Sequence, residues 1–224
     1  MLSVGSMFDL WKREVPDKVW VIFGGIGVIL TAVDLSLGAI EPLGLLVSLG
    51  ITAAIAAALY YLRFYGGADA KALVAAAAIL PLYSPPNLLH PFAPIQILSN
   101  ALFASLFLPV ALASYNLYGV LRGRGVFAGL ESEAWWKKVV ACFIGYRAGP
   151  GGPKSFHLNL ERLEGGIRRF DFSLLKDDEE FAQEGGRWVT PGLPLIVFML
   201  GGAMILFGYG DLTSLIVRAL LAFP

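Results

Sequence analysis

The sequence predicts an all-α polytopic membrane protein: about six transmembrane helices, the first one truncated, with a small cytosolic insert before the last. Three observations lead there. Of the 224 residues, 57% are hydrophobic and only 15% are charged, whereas a soluble domain carries about 25% charged residues. The apolar residues fall in long runs and give a mean hydropathy of +0.69, the pattern of a chain that meets lipid repeatedly. The Lys and Arg residues are confined to alternate loops between those runs.

Residues 1–10 are apolar, but as a helix they would rise only ~15 Å, half of a hydrocarbon core of ~30 Å. The expectation is therefore a first span missing about ten upstream residues. Lys12, Arg13 and Glu14 form a charged turn, and Pro16-Asp17 opens the next helix with Asp17 as its cap. Apolar segments follow at 19–33, 45–65, 70–83, 95–121 and 193–209. The small residues Ala53, Ala54, Ala56, Ala57 and Ala58 suit close helix packing in lipid. The segment at 70–83 is short and alanine-rich. Pro85, Pro86, Pro91 and Pro94 make 84–94 a loop, and Pro109 is expected to kink the segment at 95–121. Residues 212–223 form a short apolar tail carrying Arg218.

This reading divides the chain into membrane helices over 1–121, a polar insert over 122–190, and the last span with its tail over 191–224. Within the insert, 131–147 mixes Trp135, Trp136, Val139, Val140 and Phe143 with Lys137 and Lys138, an amphipathic element suited to a membrane surface. Residues 149–153 read as a turn. Asp177-Asp178-Glu179-Glu180 reads as a solvated charge run. An insert of roughly 70 residues is expected to bury little core of its own. No internal repeat is present.

Assigning alternate loops to opposite sides puts 16 of the 17 Lys and Arg residues on one side, with Arg218 alone opposite. By the positive-inside rule that side is cytoplasmic, and the N-terminus is outside. The opposite loops, 34–41 and 84–94, contain no Lys or Arg. A formal net charge of zero implies no nucleic-acid partner. The single Cys142 excludes an intrachain disulfide and a zinc site built on several cysteines. His90 and His157 lack metal-ligand spacing, so neither metal nor cofactor is expected.

The candidate site follows from the acids. In Gly66-Gly67-Ala68-Asp69-Ala70-Lys71, Asp69 lies between two apolar segments, where an ionisable residue is costly and points to function. Gly66 and Gly67 allow a turn and a close backbone approach. Lys71 is expected to snorkel to the headgroups. Asp9, after Met7-Phe8, is the one other acid at membrane depth on the cytoplasmic side, apart from Asp17 with its capping role. Asp34, Glu41 and Asp211 fall opposite, although Gly208-Tyr209-Gly210-Asp211 matches G-x-G-D literally; Asp211 reads as a polar turn at the outer surface. Two aspartates at one depth, on two helices, point to a dyad that shares one proton and activates water. The competing structural account is that each aspartate caps a helix.

The stretch 66–71 before an alanine-rich helix resembles the G-x-G-D segment of archaeal preflagellin peptidases, relatives of type IV prepilin peptidases. Phe8-Asp9-Leu10-Trp11-Lys12-Arg13-Glu14-Val15-Pro16-Asp17 looks like that family's first catalytic aspartate and its basic turn. Arg187-Trp188-Val189-Thr190-Pro191-Gly192-Leu193-Pro194 looks like its approach to the last helix. The resemblance implies a six-helix aspartic endopeptidase that removes the short basic leader from archaellin or pilin precursors at the cytoplasmic face, with Asp9 and Asp69 as the dyad and Gly66, Gly67 and Lys71 as supporting motif positions. Its implied partners are the precursor leader with its hydrophobic helix, and the bilayer. Two departures stand out: Ala68 replaces a motif glycine, and the four-cysteine motif of many bacterial prepilin peptidases is absent, so their added methyltransferase activity is not expected. From the residues alone, a proton-coupled solute transporter and an inactive assembly scaffold remain as other readings.

Overall fold

Fourteen elements follow one another in the computed structural model, which describes residues 1–61, 66–84, 88–153, 156–172 and 185–222. They are α1 (Leu2–Lys12), α2 (Asp17–Ser36), α3 (Pro42–Tyr61), α4 (Gly67–Ile79), α5 (Ala93–Ser105), α6 (Phe107–Leu121), α7 (Trp135–Ile144), β1 (Tyr146–Arg147), β2 (His157–Asn159), β3 (Glu161–Glu164), β4 (Ile167–Phe170), β5 (Trp188–Pro191), α8 (Leu195–Gly208) and α9 (Leu212–Leu221). The chain divides into two compact units, Met1–Ala104 with Pro194–Pro224, and Ser105–Leu193. The acidic run at 177–180, Arg63, Pro85 and Pro86 lie outside the described residues.

This is a multi-pass membrane protein. Among the described residues, three helical stretches are long and apolar enough to cross a bilayer: Asp17–Ser36, Pro42–Tyr61 and the 29 residues Ala93–Leu121. Leu195–Gly208 and Leu212–Leu221, bent by 57°, make a fourth if they form one span. Six full-length crossings are not seen. α1 has 11 residues and α4 has 13, which rise only ~17 and ~20 Å. The usual polarity of burial is inverted, as lipid exposure requires: Val21, Ile22, Val28, Ile29 and Leu30 face outward on α2, and Leu43 and Leu46 on α3.

α4 is the helix around which the first unit packs, and its composition follows from that. α2 and α3 both lie against it, and Ala72, Leu73, Ala75, Ala76 and Ala77 are buried. Small side chains let the neighbours approach closely enough for polar groups to reach backbone. Thr31 Oγ1 donates to the Ala78 carbonyl at 2.8 Å, and Ser48 Oγ donates to the Pro81 carbonyl at 2.6 Å. α1 packs on α8 in the same manner, with Ser6 Oγ donating to the Ile196 carbonyl at 3.2 Å. Trp20, 6% exposed, lies over Gly5, whose absent Cβ would meet the indole ring at 3.0 Å.

The break in the long apolar stretch comes at Leu106, between α5 and α6, rather than at Pro109 itself. Proline removes the hydrogen bond to the carbonyl four residues earlier and its ring crowds that carbonyl, which here belongs to Ser105. Asp17 is the first residue of α2 and makes no side-chain cap; Pro16 stands at the cap position.

The second unit corrects the all-α expectation. It contains an antiparallel three-stranded sheet in the order β1-β5-β2 and a β3-β4 hairpin. The hairpin turns on Gly165 and Gly166, at φ +58° and +81°, a left-handed conformation that glycine adopts without steric cost. A core of Leu130, Ala141, Leu160, Phe170 and Trp188 exceeds what was expected of this region. It closes over Glu161, whose carboxylate accepts from Arg168 Nε at 2.7 Å, Arg168 Nη2 at 3.0 Å and the Trp188 backbone N–H at 2.6 Å. On α7, the exposed Trp135, Trp136, Val139, Val140 and Phe143 form the apolar face read from the sequence.

Adjacent glycines on α8 give a controlled test of packing. A Cβ at Gly202 would lie 2.3 Å from the Ile97 carbonyl oxygen and 2.7 Å from the Ala101 nitrogen, while one at Gly201 would meet nothing within 4 Å. Gly202→Ala is expected to destabilise by about 1–3 kcal/mol and Gly201→Ala to be neutral or stabilising, measured by thermal unfolding in detergent.

Candidate active site

Asp9 stands in the last turn of α1 and is 8% exposed. A carboxylate there faces the negative end of the helix dipole and can cap nothing, because the donors left unpaired by a helix are at its other end. Among the described residues, Oδ2 is buried without a hydrogen-bond partner. Oδ1 lies 3.9 Å from Arg13 Nη1. Helix capping therefore does not account for Asp9.

For Asp69 the capping account has real geometry behind it. Asp69 is the third residue of α4 and accepts from the Gly66 backbone N–H through Oδ2 at 3.1 Å. That is half of a capping box; glycine has no side chain to return the bond. The carboxylate is half-buried at the positive end of the helix dipole.

The fold brings these two residues, sixty positions apart, within range of a charge–charge influence. The charge of Asp9 acts on Asp69, and the Arg13 guanidinium acts on both. The two helix ends are also tied across the turn between α1 and α2. Lys71 Nζ donates to Asp17 Oδ1 at 2.6 Å, an exposed pair between α4 and α2. Sequence spacing offered no sign of this pair, whose members lie 54 residues apart. Arg13 could have been found: it stands at i+4 from Asp9, the spacing that brings helix side chains together.

Gly66 does not use the freedom expected of it. Its φ is −70°, which any residue adopts. A Cβ there would meet only Asp69 Oδ2, at 3.7 Å, and one at Gly67 would meet the Tyr60 ring at 3.6 Å, both ordinary contacts. The tolerance of Ala68 in the neighbouring position fits the same picture.

Asp211 is 1% exposed and caps α9, accepting from the backbone N–H groups of Thr213 and Ser214 and from Ser214 Oγ and Ser99 Oγ. The expected surface turn is thus a buried cap, and Gly210 before it, at φ +100°, makes the bend. His90 accepts from the Phe92 N–H and His157 meets the Tyr146 hydroxyl. Burial pushes the Cys142 thiol up, away from the thiolate a nucleophile needs. A cavity of about 360 Å³ is lined by Arg147, Arg162, Arg168, Arg187 and Glu161; neither Asp9 nor Asp69 borders it.

The class is a multi-pass membrane protein with a small mixed α/β unit, and sequence comparison gives the family. The profile of the type IV leader peptidase family matches residues 1–114, just over half of the chain. The chain is also similar to preflagellin peptidases. That of Methanocaldococcus jannaschii is 29% identical over 220 aligned residues, covering 88% of this chain and 85% of the relative. That of Methanococcus maripaludis is 26% identical, covering 88% and 86%, and that of Methanococcus voltae 24% identical with the same coverage. The chain belongs to the type IV leader peptidase family and is a protease of the aspartic type.

Two substitutions separate cap from motif. Asp211→Ala leaves the Thr213 and Ser214 N–H groups and the Ser214 hydroxyl without their acceptor and is expected to cost about 1–3 kcal/mol, seen as a lower unfolding temperature. Gly66→Ala is expected to leave both the unfolding temperature and the rate of peptide cleavage within about twofold of the unchanged chain, because it needs no left-handed backbone.

Proposed function

We propose that the protein removes the leader peptide from preflagellin-like or pilin-like precursors, and that Asp9 and Asp69 are its catalytic dyad. The observation that carries the reading is Asp9: a buried carboxylate at the wrong end of a helix for capping, with one oxygen unpartnered among the described residues and with its charge acting on a second carboxylate sixty residues away. The names of the similar peptidases support the substrate class.

Two close carboxylates resist double ionisation and hold one proton between them. The ionised member takes a proton from water as the water oxygen bonds to the scissile carbonyl carbon. The protonated member gives its proton to the carbonyl oxygen, and a tetrahedral diol forms. Collapse then breaks the C–N bond. The proton taken from water passes to the leaving amine, and the other carboxylate recovers its proton from the diol hydroxyl. The Gly66 backbone N–H donates to Asp69 Oδ2, and Lys71 ties the start of α4 to α2 through Asp17.

The charge distribution supports a cytoplasmic site. Asp9 and Asp69 flank Lys12, Arg13, Lys18 and Lys71, on the side that holds 16 of the 17 basic residues. On this reading the N-terminus is outside, the insert at 122–190 lies in the cytosol, and cleavage occurs just before the substrate's hydrophobic helix enters the bilayer.

Membranes carrying Asp9→Asn or Asp69→Asn are expected to lose leader cleavage by about 10²–10⁴-fold, the usual contribution of positioned acid–base groups. Membranes carrying Asp211→Asn retain it. Gel-shift assays on one preflagellin-type and one pilin-type precursor measure both the loss and the preference. Undiminished cleavage by either dyad variant removes the proposal.

A further inference from the structure

Arg13 is the residue that the charged turn would not need if it were only a turn. It caps the C-terminus of α1, donating its backbone N–H to the Asp9 carbonyl at 3.1 Å, with φ 55° and ψ 14°. Glycine ordinarily takes this left-handed cap position, because a Cβ there crowds the backbone. An arginine there also meets the negative end of the helix dipole, but its Cβ carries a backbone strain that glycine would avoid. Among the described residues only Phe156 shares a positive φ without being glycine. A strained backbone at a polar cluster points from the outlier to a use for its side chain.

The side chain reaches Asp9. Nη1 lies 3.9 Å from Oδ1, and the two side chains are 23% and 11% exposed, so solvent screens the pair less than it would a surface pair. Among the described residues, no second cation pairs with Asp9. α8, packed on α1, has no titratable side chain. α4 supplies Asp69, of like charge, and its Lys71 is bound to Asp17. α2 supplies Asp17, Lys18 and the Trp20 indole. Asp9 Oδ2, by contrast, is buried with no partner among the described residues.

We infer that Arg13 is a positioning residue for the dyad, holding Asp9 by Oδ1 so that Oδ2 is presented to the reacting water, and that the strained cap is retained for this purpose. The inference rests on the dyad proposal and goes beyond it. Arg13 touches neither water nor substrate; it acts through Asp9. Because its charge also acts on Asp69, it lowers the repulsion that opposes bringing the two carboxylates together.

Replacing the residue by the natural cap separates the two roles. In the full chain, Arg13→Gly removes the guanidinium and relieves the backbone, and Arg13→Asn does the same with a residue that also tolerates the left-handed region. Both are expected to unfold at the same temperature as the unchanged chain or higher. Both are expected to lower kcat for a leader-bearing precursor about tenfold, the loss of one nearby positive charge, with KM within about twofold. Arg13→Lys keeps the charge without the fork and is expected to fall between. If Arg13→Gly or Arg13→Asn unfolds earlier, or if both cleave at the unchanged rate while Asp9→Asn and Asp69→Asn are inactive, Arg13 is only a cap and the inference is overturned. If Asp9→Asn and Asp69→Asn still cleave, the failure belongs to the dyad.

Discussion

A carboxylate buried in the last turn of a helix is opposed three times: by burial, by the helix dipole and by the like charge of a second aspartate. Asp9 meets all three conditions, and much of the first unit can be understood as what makes that tolerable. The Arg13 guanidinium offsets part of the charge. Tight packing of α1 on α8, through Gly5 and Ser6, fixes the helix that carries Asp9. The Asp17–Lys71 pair joins the charged turn to the helix that carries Asp69. An exposed ion pair of this kind contributes little stability, about 0–1 kcal/mol. Its effect is on register, since it connects two helix starts on either side of the site.

Asp69 differs from Asp9 in its helix position, although burial and the charge of Asp9 oppose its ionised form as well. Its helix dipole and the Gly66 N–H both favour a carboxylate there, so the fold would place an acid at this position even without catalysis. The two aspartates thus sit in opposed environments, one favoured by its helix and one disfavoured. A symmetric pair would share its proton evenly; an asymmetric pair gives the two carboxyls different work. Burial without capping is what sets Asp9 apart from Asp17, which is exposed and ion-paired, and from Asp211, which is buried and fully bonded.

How legible this was in the sequence varies with the length scale of the signal. The apolar runs place α2, α3, α5, α6 and α8 to within a few residues, because hydropathy summed over about twenty residues is a strong signal. The charged turn and the motif at 66–71 mark Asp9 and Asp69. The strands of the second unit are two to four residues long, too short for a period of two to show. Their stability comes from a core around Trp188 that gathers Leu130, Leu160 and Phe170 from distant positions. The Asp17–Lys71 pair was hidden for the same reason: contact between residues 54 apart depends on helix packing, and no local pattern encodes it. The place of Asp211 at the end of the last apolar run reads as a surface turn, and the contact with Ser99 on α5 that helps to enclose it has no local signature.

The two glycine-bearing stretches show why a pattern alone does not identify a site. At 208–211 glycine is required, since Gly210 stands at φ +100°, and the aspartate that follows spends all its acceptors on the turn. At 66–69 the backbone needs no glycine, and the aspartate that follows keeps part of its acceptor capacity. A carboxylate can act on water only with an oxygen that the fold has not already used. By that criterion Asp211 is structural, whereas Asp9 Oδ2 and part of the Asp69 carboxylate stay free for the chemistry proposed for them.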